Sequence, residues 1–365
     1  MSYRSVFLAF FSVFLAFSLA LGVSAQSAFH PGDAPKPGEP TDPKARKTYA
    51  SGIAWEEHRA YESAIGDYRK ANKQDGGKCF ECLSRAFRLA FGMGAFKDAA
   101  EIAREMLPMA QDDRERAGVH IMLGRCLLEQ STRAKKRSED GFSASTQEFN
   151  KALELDPRQV SVHYYLGIAL ANLQQDEAAR AAFHAFIEQD RRNPDLHPRA
   201  QRFVERVELA RARMAPAFTV TTLDGQRISM DDLAGKVVLI DFWATWCGPC
   251  REALPHIRQI AKKFDGQPLV VLSVSLDDDA AKWKEFVAKN GMNWLQYRDG
   301  GFTGVLSTEF AVTAIPATFT IDADGVLEDQ HVGDADIESK LKKLVAHAAA
   351  LKPPPPAIPA AGTGN

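Results

Sequence analysis

The chain has no excess of charge of either sign. Its 45 Lys and Arg stand against 47 Asp and Glu, a net charge of −2 over 365 residues. That excludes the bulk basic attraction by which many proteins hold nucleic acid. Cysteine is scarce, with five residues in all. No further Cys or His lies near Cys247 and Cys250 at ligand spacing, so a zinc site there lacks its remaining ligands. A second Cys-x-x-C, Cys79 and Cys82, is followed by Leu83 where haem attachment needs His, which excludes a c-type haem. No cysteine stands at the candidate N-terminal cleavage point, which argues against a lipoprotein anchor. Strand signals are almost missing from 47–213, and no catalytic constellation occurs there.

What is present begins at the amino terminus. Arg4 is followed by the uncharged run SVFLAFFSVFLAFSLALGVSA, and Val23-Ser24-Ala25 offers small residues for cleavage. Residues 1–25 are therefore predicted to be a secretory signal peptide. The apolar run is long, so an uncleaved membrane anchor over 5–22 stays open. Either way the rest of the chain leaves the cytoplasm. Residues 26–46 are rich in Pro, Gly and Lys and predict a disordered spacer. Residues 351–365, LKPPPPAIPAAGTGN, predict a disordered tail of polyproline character. The length between them suffices for two domains.

The segment VVLIDFWATWCGPC carries the chemistry. It predicts a buried strand over 237–243 leading into a helix that opens at the cysteines. A thiol at the first turn of a helix sits among free N–H groups at the positive end of the macrodipole. Its thiolate is stabilised and its pKa falls. Cys247 is thus the attacking thiolate. Cys250, three residues on, is the resolving thiol that closes a disulfide and expels the substrate.

These residues resemble the thioredoxin superfamily over about 214–350. The stretch FAVTAIPATFTID places Ile315-Pro316 where that family has a cis-proline facing the cysteine pair. The preceding APAFTVTTLDGQRISMDDLAGK, with an Asp224-Gly225 turn, resembles the N-terminal hairpin of exported TlpA/ResA-type members. The resemblance implies that Pro316 presents backbone to substrate and that Trp246, Gly248, Pro249 and Ile315 form the substrate rim. It implies that Asp241 lies beneath the pair and takes the proton of Cys250 as that thiol attacks. Many TlpA/ResA members carry asparagine at the Asp241 position and glutamate at the position of Ala253, and this chain departs from both. The Gly-Pro dipeptide and Ile315 resemble reductants. The implied partners are protein thiol or disulfide clients and a membrane electron donor of the DsbD/CcdA kind.

Residues 47–213 repeat themselves. Gly52, Ala64 and Tyr68 recur at the same spacing as Gly167, Ala179 and Phe183. Gly124, Phe149, Ala152 and Pro157 form a third set, and Ala99 and Ala103 a weaker one. The pattern resembles tetratricopeptide (TPR) repeats, which implies a surface for a protein or peptide. STRAKKRSEDGF is expected to be a charged loop inserted between two helices of the third repeat. His120 and His163 stand at equivalent repeat positions, which predicts packing or groove lining. Cys126 is expected to be a buried apolar residue. For Cys79 and Cys82 a local disulfide, packed free thiols, and a second redox or metal pair all stay open.

The expected architecture is α plus α/β: all-α TPR-like repeats over 47–213, then a thioredoxin-like α/β domain over 214–350. The expected activity is that of an exported, periplasmic thiol–disulfide oxidoreductase with no metal and no cofactor beyond its redox-active disulfide. Alternatives are a thiol peroxidase, for which no peroxidase Arg motif is seen, and a TPR scaffold with a secondary redox domain.

Overall fold

A computed structural model describes residues 34–134, 138–302, 304–333 and 337–351. The predicted signal peptide and nearly all of the predicted tail lie outside these residues. Contacts divide the chain at Arg211/Ala212 into a helical unit and an α/β unit.

The helical unit runs α1 (Pro43–Glu57), α2 (Tyr61–Gln74), α3 (Phe80–Gly92), α4 (Phe96–Met106), α5 (Asp113–Arg133), α6 (Glu139–Leu155), α7 (Val162–Asn172), α8 (Asp176–Gln189) and α9 (His197–Glu205). Each packs chiefly on its chain neighbours. Side chains close the helix starts where sequence offers them. Asp42 accepts from the Lys44 and Ala45 N–H groups, and Asp112 from that of Glu115.

The expected spacer at 26–46 ends earlier than its composition suggests. Helix α1 begins at Pro43, with Asp42 as its cap. Asp75 accepts from Thr41 N at 2.7 Å and Asp42 N at 2.8 Å, and Glu81 N donates to Gly38 O at 3.0 Å. Proline and glycine here make a turn docked on the end of α2 and the start of α3 rather than a free linker.

Glycine sets how closely the paired helices approach. A methyl group at Gly52 would lie 2.7 Å from the Tyr68 ring, at Gly124 2.7 Å from Phe149, and at Gly167 2.6 Å from Phe183. All three rings are fully buried. In the pair α3/α4 the equivalent positions carry Phe87 and Ala103, both buried, so the large residue has moved to the first helix. The third pair differs from the expected inserted loop. Its added residues lengthen both helices: α5 runs on to Arg133 and α6 starts at Glu139 under a Ser138 cap. Glu and Arg in this stretch are good helix formers and carry the helices on. The helical unit ends in a short α9 followed by a 3₁₀ turn at Val207–Arg211.

The Phe183 ring is flanked by Tyr164 and Phe203 at centroid distances of 6.1 and 5.2 Å. It has little room to yield. Gly167→Ala is therefore expected to destabilise the helical unit. Overpacking costs about 1–3 kcal/mol, and the better helix propensity of Ala offsets about 1 kcal/mol of it. Urea unfolding followed by circular dichroism checks this; a midpoint equal to or above wild type would refute it.

A disulfide joins Cys79 to Cys82, both fully buried, with Cys79 as the cap residue of α3. His120 Nδ1 lies 2.6 Å from Glu148 Oε2, and His163 Nδ1 is buried. Cys126 is free and buried, which pushes its thiol up to about 12.

The α/β unit opens with the hairpin β1 (Thr219–Thr221) and β2 (Arg227–Ser229), joined through Gly225 at φ 86°. The main sheet holds β3 (Val237–Trp243), β4 (Leu269–Ser275), β5 (Leu295–Arg298), β6 (Ala317–Ile321) and β7 (Leu327–Val332) in the order β5-β4-β3-β6-β7. Strands β3, β4 and β5 are parallel; β6 and β7 run antiparallel. Helices α10 (Gly248–Lys263), α11 (Ala280–Lys289), α12 (Val305–Glu309) and α13 (Glu338–Ala350) complete the unit. Ile257 and Ile260 of α10 pack with Leu341 and Val345 of α13 against Val237 and Leu239 of β3. Strand β3 is buried along its whole length, which explains its continuous apolar sequence. Asp241 is the one charged residue in it.

Candidate active site

Strand β3 ends at Trp243, and four residues later Cys247 caps α10. A disulfide joins Cys247 to Cys250 with Cα atoms 5.3 Å apart. The Cys250 N–H donates to Cys247 Sγ at 3.2 Å, the contact a thiolate at this place would also receive. Cys247 is 6% exposed and Cys250 4%, whereas Trp246 beside them is 60% exposed. Pro249 is exposed, and Gly248 and Ile315 are half-buried. A Cβ at Gly248 would meet open space, so this rim position is unobstructed.

The Ile315–Pro316 bond is cis. The Ile315 carbonyl oxygen lies 3.9 Å from Cys247 Sγ. Gly333 N donates to Pro316 O at 2.8 Å, tying this loop to the end of β7.

Asp241 is 6% exposed. Burial pushes its carboxyl from 3.8 to about 7, and the Ser273 bond opposes that rise. The Ser273 hydroxyl donates to Asp241 Oδ2 at 3.1 Å while its oxygen accepts from Trp294 Nε1 at 2.8 Å. Register places Gln296, Ser273, Asp241, Thr318 and His331 in one line across all five strands. Beside Asp241 is a cavity of about 20 Å3, lined by Ala253, His256 and Ile257 of α10 and by Pro316 and Thr318. Asp241 thus shares a cavity wall with the cis-proline and with the helix turn that follows Cys250. Ala253, with its short side chain, is part of that cavity's wall.

Sequence reasoning did not single out Asp277. It is 3% exposed and accepts from Thr245 N at 3.0 Å, Thr245 Oγ1 at 2.5 Å and Ser275 Oγ at 2.7 Å. It fixes the turn that delivers Trp246 and Cys247. Among the described residues no group of three or more His, Cys, Asp or Glu is placed to hold a metal ion.

A model of the AhpC/TSA family matches residues 212–330. The thiol–disulfide oxidoreductase ResA of Bacillus thuringiensis (strain Al Hakam) is 30% identical over 145 residues, 39% of this chain and 83% of that protein. The chain belongs to the thioredoxin superfamily, on its ResA-like branch. The thioredoxin-like protein YneN of Bacillus subtilis (strain 168) is 30% identical over 138 residues, 38% of this chain and 81% of that protein. A crystal structure of a thiol:disulfide interchange protein from Chlorobium tepidum TLS is 26% identical, covers 37% of this chain and 97% of that one, with a TM-score of 0.34. The ResA-like domain is a thiol–disulfide oxidoreductase. Among the described residues no helix is long and apolar enough to cross a membrane; residues 5–22 lie outside them.

Proposed function

We propose that this protein is an exported enzyme that reduces or exchanges disulfides of protein clients through Cys247 and Cys250. The observation that carries the proposal is the Cys247–Cys250 disulfide at the cap of α10, with the Ile315 carbonyl 3.9 Å from Cys247 Sγ. A client strand passing Ile315 would meet the attacking sulfur and the exposed Trp246 together.

In the reduced enzyme the Cys247 thiolate attacks a client disulfide. One client sulfur leaves as thiolate and the other is held in a mixed disulfide with Cys247. Cys250 then attacks Cys247 Sγ. Its proton passes to the Asp241 carboxylate, and the second client sulfur leaves. The client gains two electrons and the cysteine pair is oxidised. A buried carboxyl near 7 suits this role, because it is partly ionised at neutral pH and strong enough as a base to take a thiol proton. Trp246, Gly248, Pro249 and Ile315 form the client rim. The Gly-Pro dipeptide and Ile315 favour reduction over oxidation.

The N-terminal run over 5–25 and the ResA-like domain favour a periplasmic site, cleaved free or anchored through 5–22. A reductant there needs electrons from outside, and a membrane carrier of the DsbD/CcdA kind would supply them. The glycine–aromatic pairs of the helical unit favour a TPR-type stack that binds a protein or peptide partner.

Client trapping tests the reading. Cys250→Ser in the full chain removes the resolving thiol, so mixed disulfides should accumulate in a periplasmic extract and fall apart in dithiothreitol. Adding Cys247→Ser should remove them. Failure of Cys250→Ser to form any thiol-reversible adduct would refute the proposed function.

A further inference from the structure

Each turn of the cycle loads a proton onto Asp241, and that proton must leave before the next resolution. Asp241 is almost fully buried. Its side chain meets Ser273, whose hydroxyl is already directed by Trp294. Neither Ser273 nor Trp294 can carry a proton away at neutral pH. The remaining outlet is the cavity beneath α10. Its volume of about 20 Å3 is enough for a single water molecule.

Among the described residues lining that cavity, His256 is the one titratable group besides Asp241. It stands one helical turn beyond Ala253, on the face of α10 turned toward the sheet, and it is half-buried. On α13 nearby, Glu338 pairs with Lys263, and that pairing, with a smaller contribution from His256, holds the Glu338 carboxyl below its ordinary value. His256 therefore lines the buried cavity while staying partly open to solvent. We propose that His256 is the positioning residue through which Asp241 exchanges its proton with solvent.

This rests on the reading of Asp241 as the base for Cys250. The step is a proton transfer and nothing else: protonated Asp241 passes its proton through one water to neutral imidazole, and the imidazolium releases it to bulk. No electrons move.

The other charged groups near the cavity are less well placed. From β7, His331 stands behind Thr318 in the register, and its Nε2 is engaged by Asp329 at 2.9 Å. Asp329 is itself held by Lys340 of α13 at 2.7 Å. None of these three lines the cavity. Ala253 matters because its short side chain leaves the space the water needs.

The test reads Asp241 directly. In the oxidised full chain, the infrared carboxyl band lost in Asp241→Asn is followed after a jump from about pH 5 to about pH 9. His256→Gln should slow the decay of that band about tenfold or more, and added imidazole should restore it. His331→Gln should leave it unchanged. Ala253→Val fills the cavity with His256 in place and should slow exchange as well, which keeps the test valid if His256→Gln perturbs the helix. An unchanged rate in both His256→Gln and Ala253→Val, or slowing by His331→Gln instead, would overturn the proposal. A wild-type band that does not titrate between those pH values would sink the base reading of Asp241 itself, a distinguishable failure.

Discussion

Cys247→Ser is expected to reduce insulin-disulfide turnover with dithiothreitol to the level of dithiothreitol alone. The expectation follows from position as much as from chemistry. Cys247 is the cap residue of α10, so its sulfur receives the Cys250 N–H and the positive end of the helix. A hydroxyl placed there accepts the same hydrogen bond, so the fold should persist. Its pKa is too high for it to ionise near neutrality, and an alkoxide is a poor nucleophile toward sulfur. Cys250 does not replace it, because Cys250 lies inside the first turn of α10, whereas Cys247 Sγ is the sulfur beside the Ile315 carbonyl where a client would pass. Insulin turbidity measured for wild type, Cys247→Ser and Cys250→Ser decides the matter. Appreciable turnover by Cys247→Ser would contradict the assignment of the attacking thiol. Fast peroxide consumption by the wild-type protein would instead favour a thiol peroxidase.

Asp241→Asn is expected to make the protein more stable and less active. The sign follows from the direction of the displacement. The folded carboxyl titrates near 7 and the unfolded one near 3.8. Between those values the unfolded chain has released a proton that the folded chain retains. Stability therefore falls as pH rises through that window and levels off above about 7. At ~1.4 kcal/mol per pH unit the loss has an upper bound of about 4 kcal/mol. Asn carries no such loss and can still accept from Ser273. The variant should match wild type near pH 4 and exceed it at pH 8 in urea unfolding of the oxidised protein. Release of the second client thiol should lose its rise with pH around 7 and become slower than wild type above it. Equal stability at pH 8 would show that Asp241 is not a displaced buried acid. Equal release kinetics would remove its role as base.

Much of the redox site was legible because its signals are local. Cys247 and Cys250 sit at a strand-to-helix junction that the sequence displays, and Asp241 interrupts an otherwise apolar run. Asp277 was not legible. It stands in a row of three aspartates, 277–279, and Asp279 caps α11 through Ala281 and Lys282 while Asp277 reaches back to Thr245. Only the pairing of β3 with β4 separates their tasks. The polar line from Gln296 to His331 was hidden for the same reason, since it exists only once five distant strands take their register. In the helical unit the glycine and aromatic spacing was readable because both partners lie within one helix pair. Only the two ends of the charged stretch 131–142 were misread as loop: residues 131–133 and 139–142 are helical. Net polarity does not distinguish an exposed loop from the solvent-facing ends of two long helices.

The reciprocal arrangement of large and small residues in the helix pairs constrains how this chain can change over generations. Where Gly52 meets Tyr68 or Gly167 meets Phe183, the first helix is small and the second is large. The α3/α4 pair has the opposite assignment, with Phe87 and Ala103. Passing from one arrangement to the other takes two substitutions, and either one alone leaves two rings in one space or none. Each single step is penalised and the double step is not, so these sites should covary as pairs rather than drift one at a time.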